Sequence, residues 1–310
     1  MRIIRDYEFV EDAARGATAA IGNFDGVHLG HRSVIELARD AAPDAPLGVV
    51  TFEPHPRSYF APSAPPFRLM NADARASRLA KLGVDVLFEL PFNAGLAGLS
   101  PEDFARRVIA DGLGLRHVVV GADFCFGKAR AGDAAALQGF GAEMGFGVTI
   151  APLLQDTGAT VSSTAIRAAL TEAAPRRAAA MLGHWHRIEG PVIGGEQRGR
   201  TLGYPTANMS IDGLHPPAFG VYAVLVDVLD GPHAGSYHGV ASMGVRPMFG
   251  ENRPNLETFL FDFTGDLYGG QLSVALVEHL RGEEKFDSLD ALITQMDADS
   301  ARARAILAAL

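Results

Sequence analysis

The sequence predicts two domains of different class: an α/β domain with a parallel sheet over residues 1–183, and a small antiparallel β-barrel with C-terminal helices over residues 184–310. Before residue 183, short β-rich runs alternate with helical stretches at the spacing of βαβ units. After Trp185, strand-like runs follow one another with Gly, Pro, Asp and Asn between them. Helical spacing returns only in the tail, from Ser288 onward.

The predicted strands of the first domain are short apolar runs over residues 18–22, 48–52, 84–90, 117–121 and 147–152. The predicted helices between them, 30–41, 72–82, 101–111 and 133–144, repeat apolar residues every three or four positions. Helices between successive strands cover both faces of a parallel sheet, which predicts a Rossmann-like layout. The Pro-rich stretch 54–66 is expected to be a long mobile loop, and residues 162–164 are expected to cap a further helix.

The predicted strands of the second domain, 220–229, 237–245, 255–263 and 271–280, are separated by turn residues. Their spacing is typical of a small Greek-key-type barrel. Residues 288–296 and 299–310 are expected to form C-terminal helices, with Ser288 as a cap.

Composition excludes several classes of protein. Lys and Arg number 27 against 36 Asp and Glu, a net charge of -9, which argues against a nucleic-acid or anionic-membrane partner. No window approaches the ~18 uninterrupted apolar residues of a membrane span. The single Cys125 cannot form an internal disulfide and residues 1–20 hold no apolar signal core, so a cytoplasmic protein is expected. The expected partners are small molecules, and a homo-oligomer remains open.

The first predicted strand leads directly into GNFDGVHLGH, residues 22–31. Gly22 and Gly30 allow the backbone to approach a phosphate, and the following helix offers free N–H groups and its positive end. His28 and His31 are three apart on that first turn, where both could donate to phosphate oxygens. Taken alone, they could instead be surface residues or half a metal site, but the spacing of a zinc protease is missing.

At this turn the sequence resembles the nucleotidylyltransferase superfamily, with its HxGH signature. More narrowly, it is similar to the bifunctional riboflavin kinase/FMN adenylyltransferases, the prokaryotic FAD synthetase family. Four further segments carry the resemblance: TFEPHP at 51–56, GADFCFG at 121–127, VSSTAIR at 161–167 and GRTLGYPTAN at 199–208. The segment 255–269, with Glu257 and DLYG, also matches, so the resemblance covers nearly the whole chain.

For the first domain, the resemblance implies transfer of AMP from ATP to FMN. The ATP and phosphate contacts that it implies are Gly22, Phe24, Asp25, Gly30, Ser163 and Thr164, with His28, His31 and Arg167 as the catalytic groups. Arg167 would pair with the triphosphate. The FMN phosphate has a second pKa of about 6 and is already an anion at neutral pH, so no protein base is required. Asp123, Phe124 and Phe126 would line the flavin pocket, although each Phe could equally be a core residue.

For the second domain, the resemblance implies riboflavin phosphorylation. Gly199, Arg200 and Gly203 would contact ATP, while Thr206 and Asn208 would supply oxygen ligands for Mg²⁺. The nucleophile is an alcohol that stays protonated at neutral pH, which makes Glu257 useful as a base. On pattern alone, Glu257 could lie on a solvated strand face. Met248 and Phe259 depart from the usual Thr and His of the family and put flavin contacts in doubt.

The sequence therefore predicts an enzyme that phosphorylates riboflavin to FMN and then adenylylates FMN to FAD, with Mg²⁺ and with ATP as co-substrate in both steps. Two alternatives remain at this stage. One is a nucleotidylyltransferase that acts on another phosphate, such as a pantetheine or nicotinamide nucleotide. The other is a flavin-binding regulator without activity.

Overall fold

The structure is a computed structural model that describes residues 1–152, 155–156, 159–194, 204–248 and 251–310. The chain divides into two compact units, Met1–Ala64 with Arg75–Ser162, and Pro65–Ala74 with Ser163–Leu310. Within the described ranges, no helix is long and apolar enough to cross a membrane.

The first unit is built on a six-stranded sheet in which every neighbouring pair is parallel. Its strands and those of two small hairpins are β1 (Arg2–Ile4), β2 (Thr18–Ile21), β3 (Leu47–Glu53), β4 (Val86–Pro91), β5 (His117–Gly121), β6 (Cys125–Phe126), β7 (Gly132–Asp133), β8 (Gly147–Ala151), β9 (Gln155–Asp156) and β10 (Ala159–Thr160). The sheet order is β1-β4-β3-β2-β5-β8. β3 and β5 read as near-continuous apolar runs because both faces of the sheet are covered.

The order of strands places a crevice beside β2. From β2 the chain runs first to β3 on one side and later to β5 on the other. The loops that follow the carboxyl ends of β2 and β5 therefore run in opposite directions and leave a crevice between them. Ligands of open α/β sheets bind in such a crevice. The loops after β2 and β5 are those that begin at Gly22 and Ala122.

The helices of the first half are α1 (Leu29–Ala41), α2 (Pro56–Phe60), α3 (Ala72–Lys81), α4 (Ala94–Ala97), α5 (Pro101–Asp103) and α6 (Ala134–Met144). The expectation of a loop throughout 54–66 is wrong, because α2 lies inside it with Pro56 in its first turn and the His55 side chain as its cap. The helix predicted over 101–111 is a short α5 continued by a π-helical stretch, Phe104–Ala110. Its apolar residues face the core, which includes Phe104 and Val108.

The second unit holds a six-stranded antiparallel barrel. Its strands are β11 (His186–Pro191), β12 (Ala207–Ser210), β13 (Gly220–Val228), β14 (Gly235–Met248), β15 (Glu251–Leu260) and β16 (Gln271–Arg281), in the order β11-β16-β13-β14-β15-β12. β13, β14 and β15 follow one another, and β16 returns beside β13, which is the Greek-key order. A bridge between Ile193 and Asn208 nearly closes the barrel. The fold class expected from the sequence is confirmed.

Three helices accompany the barrel: α7 (Ser163–Thr171), α8 (Pro175–Leu182) and α9 (Leu289–Leu307). Ser288 caps α9, as expected, by accepting the Ala291 N–H at 3.1 Å. The expectation of two tail helices is wrong, because α9 continues through residues 297–298, where no Pro or Gly interrupts it. Its buried Asp299 receives hydrogen bonds from Arg281 and Gln295, both at 2.9 Å.

Candidate active sites

The loop after β2 is tightly wound and buried. Phe24, Gly26 and Val27 adopt positive φ angles of 51°, 88° and 43°. A β-branched residue such as Val27 adopts this conformation only under strain, and such strain is typical of functional loops that their surroundings fix in place. Part of that support is the Thr51 hydroxyl of β3, which donates to the Asn23 carbonyl at 3.2 Å. The backbone between Gly22 and His28 is thus held in one conformation beside the crevice.

His28 and His31 stand at the start of α1. His28 is the N-cap, and its Nδ1 accepts the backbone N–H of His31 at 3.2 Å. The two rings stack with centroids 3.6 Å apart, and Phe24 packs 5.0 Å from the His31 ring. Burial, and secondarily the neighbouring His28, lower the pKa of His31 well below its usual value. His31 is therefore neutral at physiological pH.

Gly30 lets the His28 ring fold over the helix terminus. A Cβ at Gly30 would lie 3.2 Å from both Cε1 and Nδ1 of His28, closer than most real Cβ contacts. The same position is 3.7 Å from the carbonyl of Val161, so the start of the 161–167 segment lies beside the first turn of α1. The structure therefore brings the beginning of that segment next to the glycine-rich turn of residues 22–31.

The segment that follows β3 is fixed by a buried ion network that the sequence analysis missed. Arg75 is 1% exposed and donates to the carboxylates of Glu53 at 3.0 Å and Glu89 at 2.9 Å. Arg5 donates to the second oxygen of Glu89 at 3.0 Å. Glu53 immediately precedes Pro54, so the network sets where this segment leaves the sheet.

The segment that follows β5 contains the predicted flavin-binding residues. Asp123 is exposed, whereas Phe126 is 6% exposed and belongs to the core, where it packs 5.5 Å from Phe104. Phe124 stacks on Phe126 with centroids 5.6 Å apart. The buried Phe126 ring thus packs against one face of the Phe124 ring. The flavin contacts of Asp123, Phe124 and Phe126 remain predictions.

The predicted triphosphate contacts Ser163, Thr164 and Arg167 lie in the second unit, on the first turns of α7. Arg167 donates to the Phe67 carbonyl at 3.2 Å and to the Thr164 hydroxyl at 3.4 Å. These contacts orient a guanidinium at the N-terminal half of the helix, where the free N–H groups also favour an anion.

The barrel brings two of its predicted site residues opposite each other. Asn208 of β12 and Glu257 of β15 are register partners on antiparallel strands. Directly opposite side chains on one sheet face are in reach of each other. Leu256 of β15 and Met209 of β12 are fully buried in the core, so Asn208 and Glu257 lie on the opposite, outer face of the barrel wall.

Asn255, which the sequence analysis did not single out, links these two residues. Its Nδ2 donates to Asn208 Oδ1 at 3.3 Å and to Glu257 Oε1 at 3.5 Å. Asn255 is 2% exposed and lies two residues before Glu257, on the same strand face. That spacing is the one sequence signal that could have identified it.

Oxygen donors at this position fit Mg²⁺. Thr206, immediately before β12, offers a hydroxyl, and Asn208 presents an amide oxygen that Asn255 orients. Hard oxygen ligands of this kind, completed by phosphate oxygens and water, are what Mg²⁺ prefers. The predicted ATP contacts Gly199, Arg200 and Gly203 lie outside the described residues.

Phe259, one of the departures from the family pattern, has a packing partner. Its ring lies 4.7 Å from that of Tyr204, whose hydroxyl donates to Asp297 of α9. The Phe259 ring therefore packs against Tyr204, which lies just before Thr206 and Asn208 in the segment that the resemblance assigns to ATP and Mg²⁺. At Met248, the other departure, only the backbone is described, as the end of β14.

Together, a glycine-rich loop at the crevice of a parallel sheet and an Asn–Glu pair on a Greek-key barrel are typical of a two-domain transferase that uses a phosphate-bearing substrate. A family model for FAD synthetase matches residues 10–165, and one for riboflavin kinase matches residues 182–307. The chain is 43% identical to a bifunctional riboflavin kinase/FMN adenylyltransferase from Pseudomonas fluorescens, over 99% of this chain and 98% of that relative. It is 37% identical to the protein of the same description from Escherichia coli (strain K12), over 98% and 97% of the two chains.

A solved structure described as a macrolide-efflux protein from Streptococcus pneumoniae has a TM-score of 0.83 and 31% sequence identity, over 97% of this chain and 98% of that one. The chain belongs to the bifunctional riboflavin kinase/FMN adenylyltransferase family. It is an enzyme that phosphorylates riboflavin with ATP and then transfers AMP from ATP to FMN, giving FAD and pyrophosphate. Both predicted activities are confirmed, and neither a different nucleotidylyltransferase nor an inactive regulator is supported.

Proposed function

We propose that residues 1–183 carry the adenylyl transfer and residues 184–310 the phosphorylation of riboflavin, each with the site residues derived above. The matches of the two family models to residues 10–165 and 182–307 support this division. We also propose a cytoplasmic location, supported by the single Cys125 and by the use of ATP in both steps.

In the adenylyl transfer, the attacking group is the FMN phosphate, which is ionised at neutral pH because its second pKa is about 6. The work left to the protein is to position this phosphate and the ATP, and to stabilise the charge that develops on pyrophosphate. The N-terminus of α1, with His28 and His31, would supply hydrogen-bond donors for that charge. The family resemblance further implies that Arg167 of α7 pairs with the triphosphate. Gly22, Phe24, Asp25 and Gly30 shape the loop, and Ser163 and Thr164 add hydroxyl donors.

In the phosphorylation, the attacking group is the ribityl hydroxyl of riboflavin, which must lose a proton. The register places the Glu257 carboxylate opposite Asn208, and we assign to it the role of general base. Thr206 and Asn208 would hold Mg²⁺, which supplies charge neutralisation to the ATP phosphates when bound. The observation that carries this assignment is the pairing of Asn208 with Glu257 across β12 and β15.

The test is the replacement Glu257→Gln, with riboflavin or FMN offered separately with MgATP and the products resolved by chromatography over time. Removal of a general base costs typically 10²–10⁴-fold. FMN formation should fall by about that factor, whereas added FMN should still be converted to FAD at the wild-type rate. Undiminished phosphorylation by this variant would remove Glu257 from the mechanism.

A further inference from the structure

Asn255 lies between the two groups to which we assign metal binding and proton removal. It is 2% exposed, and its Nδ2 lies 3.3 Å from Asn208 Oδ1 and 3.5 Å from Glu257 Oε1. A single NH₂ group with two N–H bonds thus faces two oxygens on neighbouring strands.

The chemistry of the three side chains fixes their orientation. An ionised carboxylate only accepts hydrogen bonds, so Glu257 requires Asn255 to present its NH₂ group and not its oxygen. With that NH₂ group directed to both neighbours, Asn208 must in turn present its amide oxygen. The opposite orientation of the Asn208 amide would bring two NH₂ groups together. The Glu257 carboxylate therefore determines the orientation of the Asn255 amide, and the Asn255 amide determines the orientation of the Asn208 amide.

The arrangement leaves Asn255 with an uncompensated atom. Its Oδ1 is buried and has no hydrogen-bond partner among the residues that the structure describes. A buried carbonyl oxygen without a partner costs free energy, and a native structure that retains one calls for an explanation. On its other side, Asn255 is the register partner of Gly244 of β14, beside which the Glu283 carboxylate lies. An apolar residue of similar size would avoid the unpartnered oxygen, so packing alone does not explain an Asn here.

We propose that Asn255 is a positioning residue for riboflavin phosphorylation, which holds the Asn208 amide oxygen and the Glu257 carboxylate in one arrangement. This inference rests on the proposed function, in which Asn208 is a ligand of Mg²⁺ and Glu257 is the base. The amide oxygen of Asn208 accepts one N–H from Asn255 and keeps its second lone pair for the cation. Groups that orient metal ligands in this way typically change metal affinity or activity 10–100-fold when they are replaced.

The test compares Asn255→Leu, similar in size but without donors, with the matched control Thr258→Val. Thr258 is fully buried on the same strand, and its hydroxyl has no partner among the described residues. Binding of Mn²⁺ in the presence of ADP is measured by electron paramagnetic resonance. The amount of Mn²⁺ bound is compared between the wild type and Asn208→Ala. The difference between the two is the contribution of the barrel site.

Asn255→Leu should weaken this barrel-site Mn²⁺ binding about 10–100-fold and lower kcat/KM for phosphorylation by a similar factor. It should also raise the Mg²⁺ concentration needed for half-maximal rate. Conversion of added FMN to FAD should stay at the wild-type rate, because that step is assigned to the first domain, and wild-type fluorescence of Trp185 shows that the barrel is folded. In the Asn208→Ala background, Asn255→Leu should cause no further loss of Mn²⁺ binding, because the ligand that it orients is gone.

Wild-type Mn²⁺ affinity and phosphorylation in Asn255→Leu, as expected for Thr258→Val, would overturn the inference. If Asn255→Leu does not fold, Asn255→Ala replaces it, with the same expectations and the same overturning result. Failure of the proposed function is a separate result: Asn208→Ala would then bind as much Mn²⁺ as the wild type, or Glu257→Gln would phosphorylate riboflavin at the wild-type rate.

Discussion

The Nδ1 atom of His28 accepts the backbone N–H of His31 at 3.2 Å, and the two imidazoles stack at 3.6 Å. An Nδ1 atom that accepts a hydrogen bond leaves the proton of a neutral ring on Nε2, so the N–H that His28 can offer is that of Nε2. His31 is neutral as well, because burial and His28 lower its pKa. We therefore expect the pair to offer N–H donors at the positive end of α1 and not two positive charges.

Replacement of His31 by Ala should make FMN accumulate. The variant loses a donor to the phosphates, and one such donor is worth about 10²–10³-fold in rate. Phosphorylation of riboflavin should be unchanged, and His31→Asn, which keeps an N–H donor, should recover part of the loss. Because His31 is already neutral, its titration should not reduce FAD formation between pH 6 and 8. Chromatography of flavin products over time checks both statements, and normal FAD output by His31→Ala would contradict the role.

Replacement of Gly30 by Ala should separate stability from activity. Ala favours a helix over Gly by about 0.8–1.0 kcal/mol, so the protein should not lose stability. The new Cβ would lie 3.2 Å from the His28 ring and displace it from the helix terminus. FAD formation should fall about tenfold or more, since misplacement by 1 Å can cost ~10²-fold.

The matched control for Gly30→Ala is Gly139→Ala in α6. A Cβ at Gly139 meets no atom within 4 Å, so this variant should gain the same helix stability without a change in either activity. Thermal melting and FMN adenylylation are measured for both variants. Equal adenylylation rates in the two would show that the close approach of Gly30 to His28 has no catalytic importance.

The stability of the barrel should decline as the pH falls below about 6.5, the ordinary pKa of His. Burial, followed by the nearby His184 and His215, lowers the pKa of His186 to about 3. Its folded-state pKa lies below the unfolded value, so the unfolded chain binds more protons between these two pH values. The free energy of unfolding should therefore fall with pH, by at most about 1.4 kcal/mol per pH unit from this residue.

Urea denaturation at pH 7, 6 and 5, followed by the fluorescence of the single Trp185, measures this dependence beside the residue concerned. His186→Gln removes the ionisable ring and should reduce the slope of stability against pH. An identical slope in the wild type and in His186→Gln would assign the dependence to other groups.

Replacement of Arg75 by Ala should destabilise the first unit by about 3–5 kcal/mol, because it leaves the buried Glu89 carboxylate without its main partner. Arg5, the second partner of Glu89, has a side chain that is 67% exposed, so Arg5→Ala should cost about 1 kcal/mol or less. Chemical denaturation of the two variants gives both values. Equal losses of unfolding free energy in the two variants would mean that burial does not make the Arg75 ion pair more important for stability than the exposed Arg5 pair.

Local pattern was sufficient for much of the fold. Continuous apolar runs located β3 and β5 to within one residue at each end, because strands buried on both faces tolerate few polar side chains. Short or partly polar strands gave no such signal, and β11 and β12 were missed. The sequence predicts two tail helices because the apolar spacing lapses near residue 297, whereas the buried Asp299, hydrogen-bonded to Arg281 and Gln295, lies within one continuous helix.

By itself, the sequence determined the chemistry that is available: a glycine-rich turn with two histidines before a helix, an Asn at the end of the PTAN motif, and a Glu in a strand-like segment. Side-chain type and local spacing are written in the chain, and the motifs that they form carried the family resemblance that implied the class of both reactions. Only the tertiary structure decided which groups meet. The register of β12 on β15 set Asn208 against Glu257 with Asn255 between them, and folding buried Arg75 between two distant carboxylates. Such contacts join residues far apart in the chain and depend on register and burial, which no local pattern records.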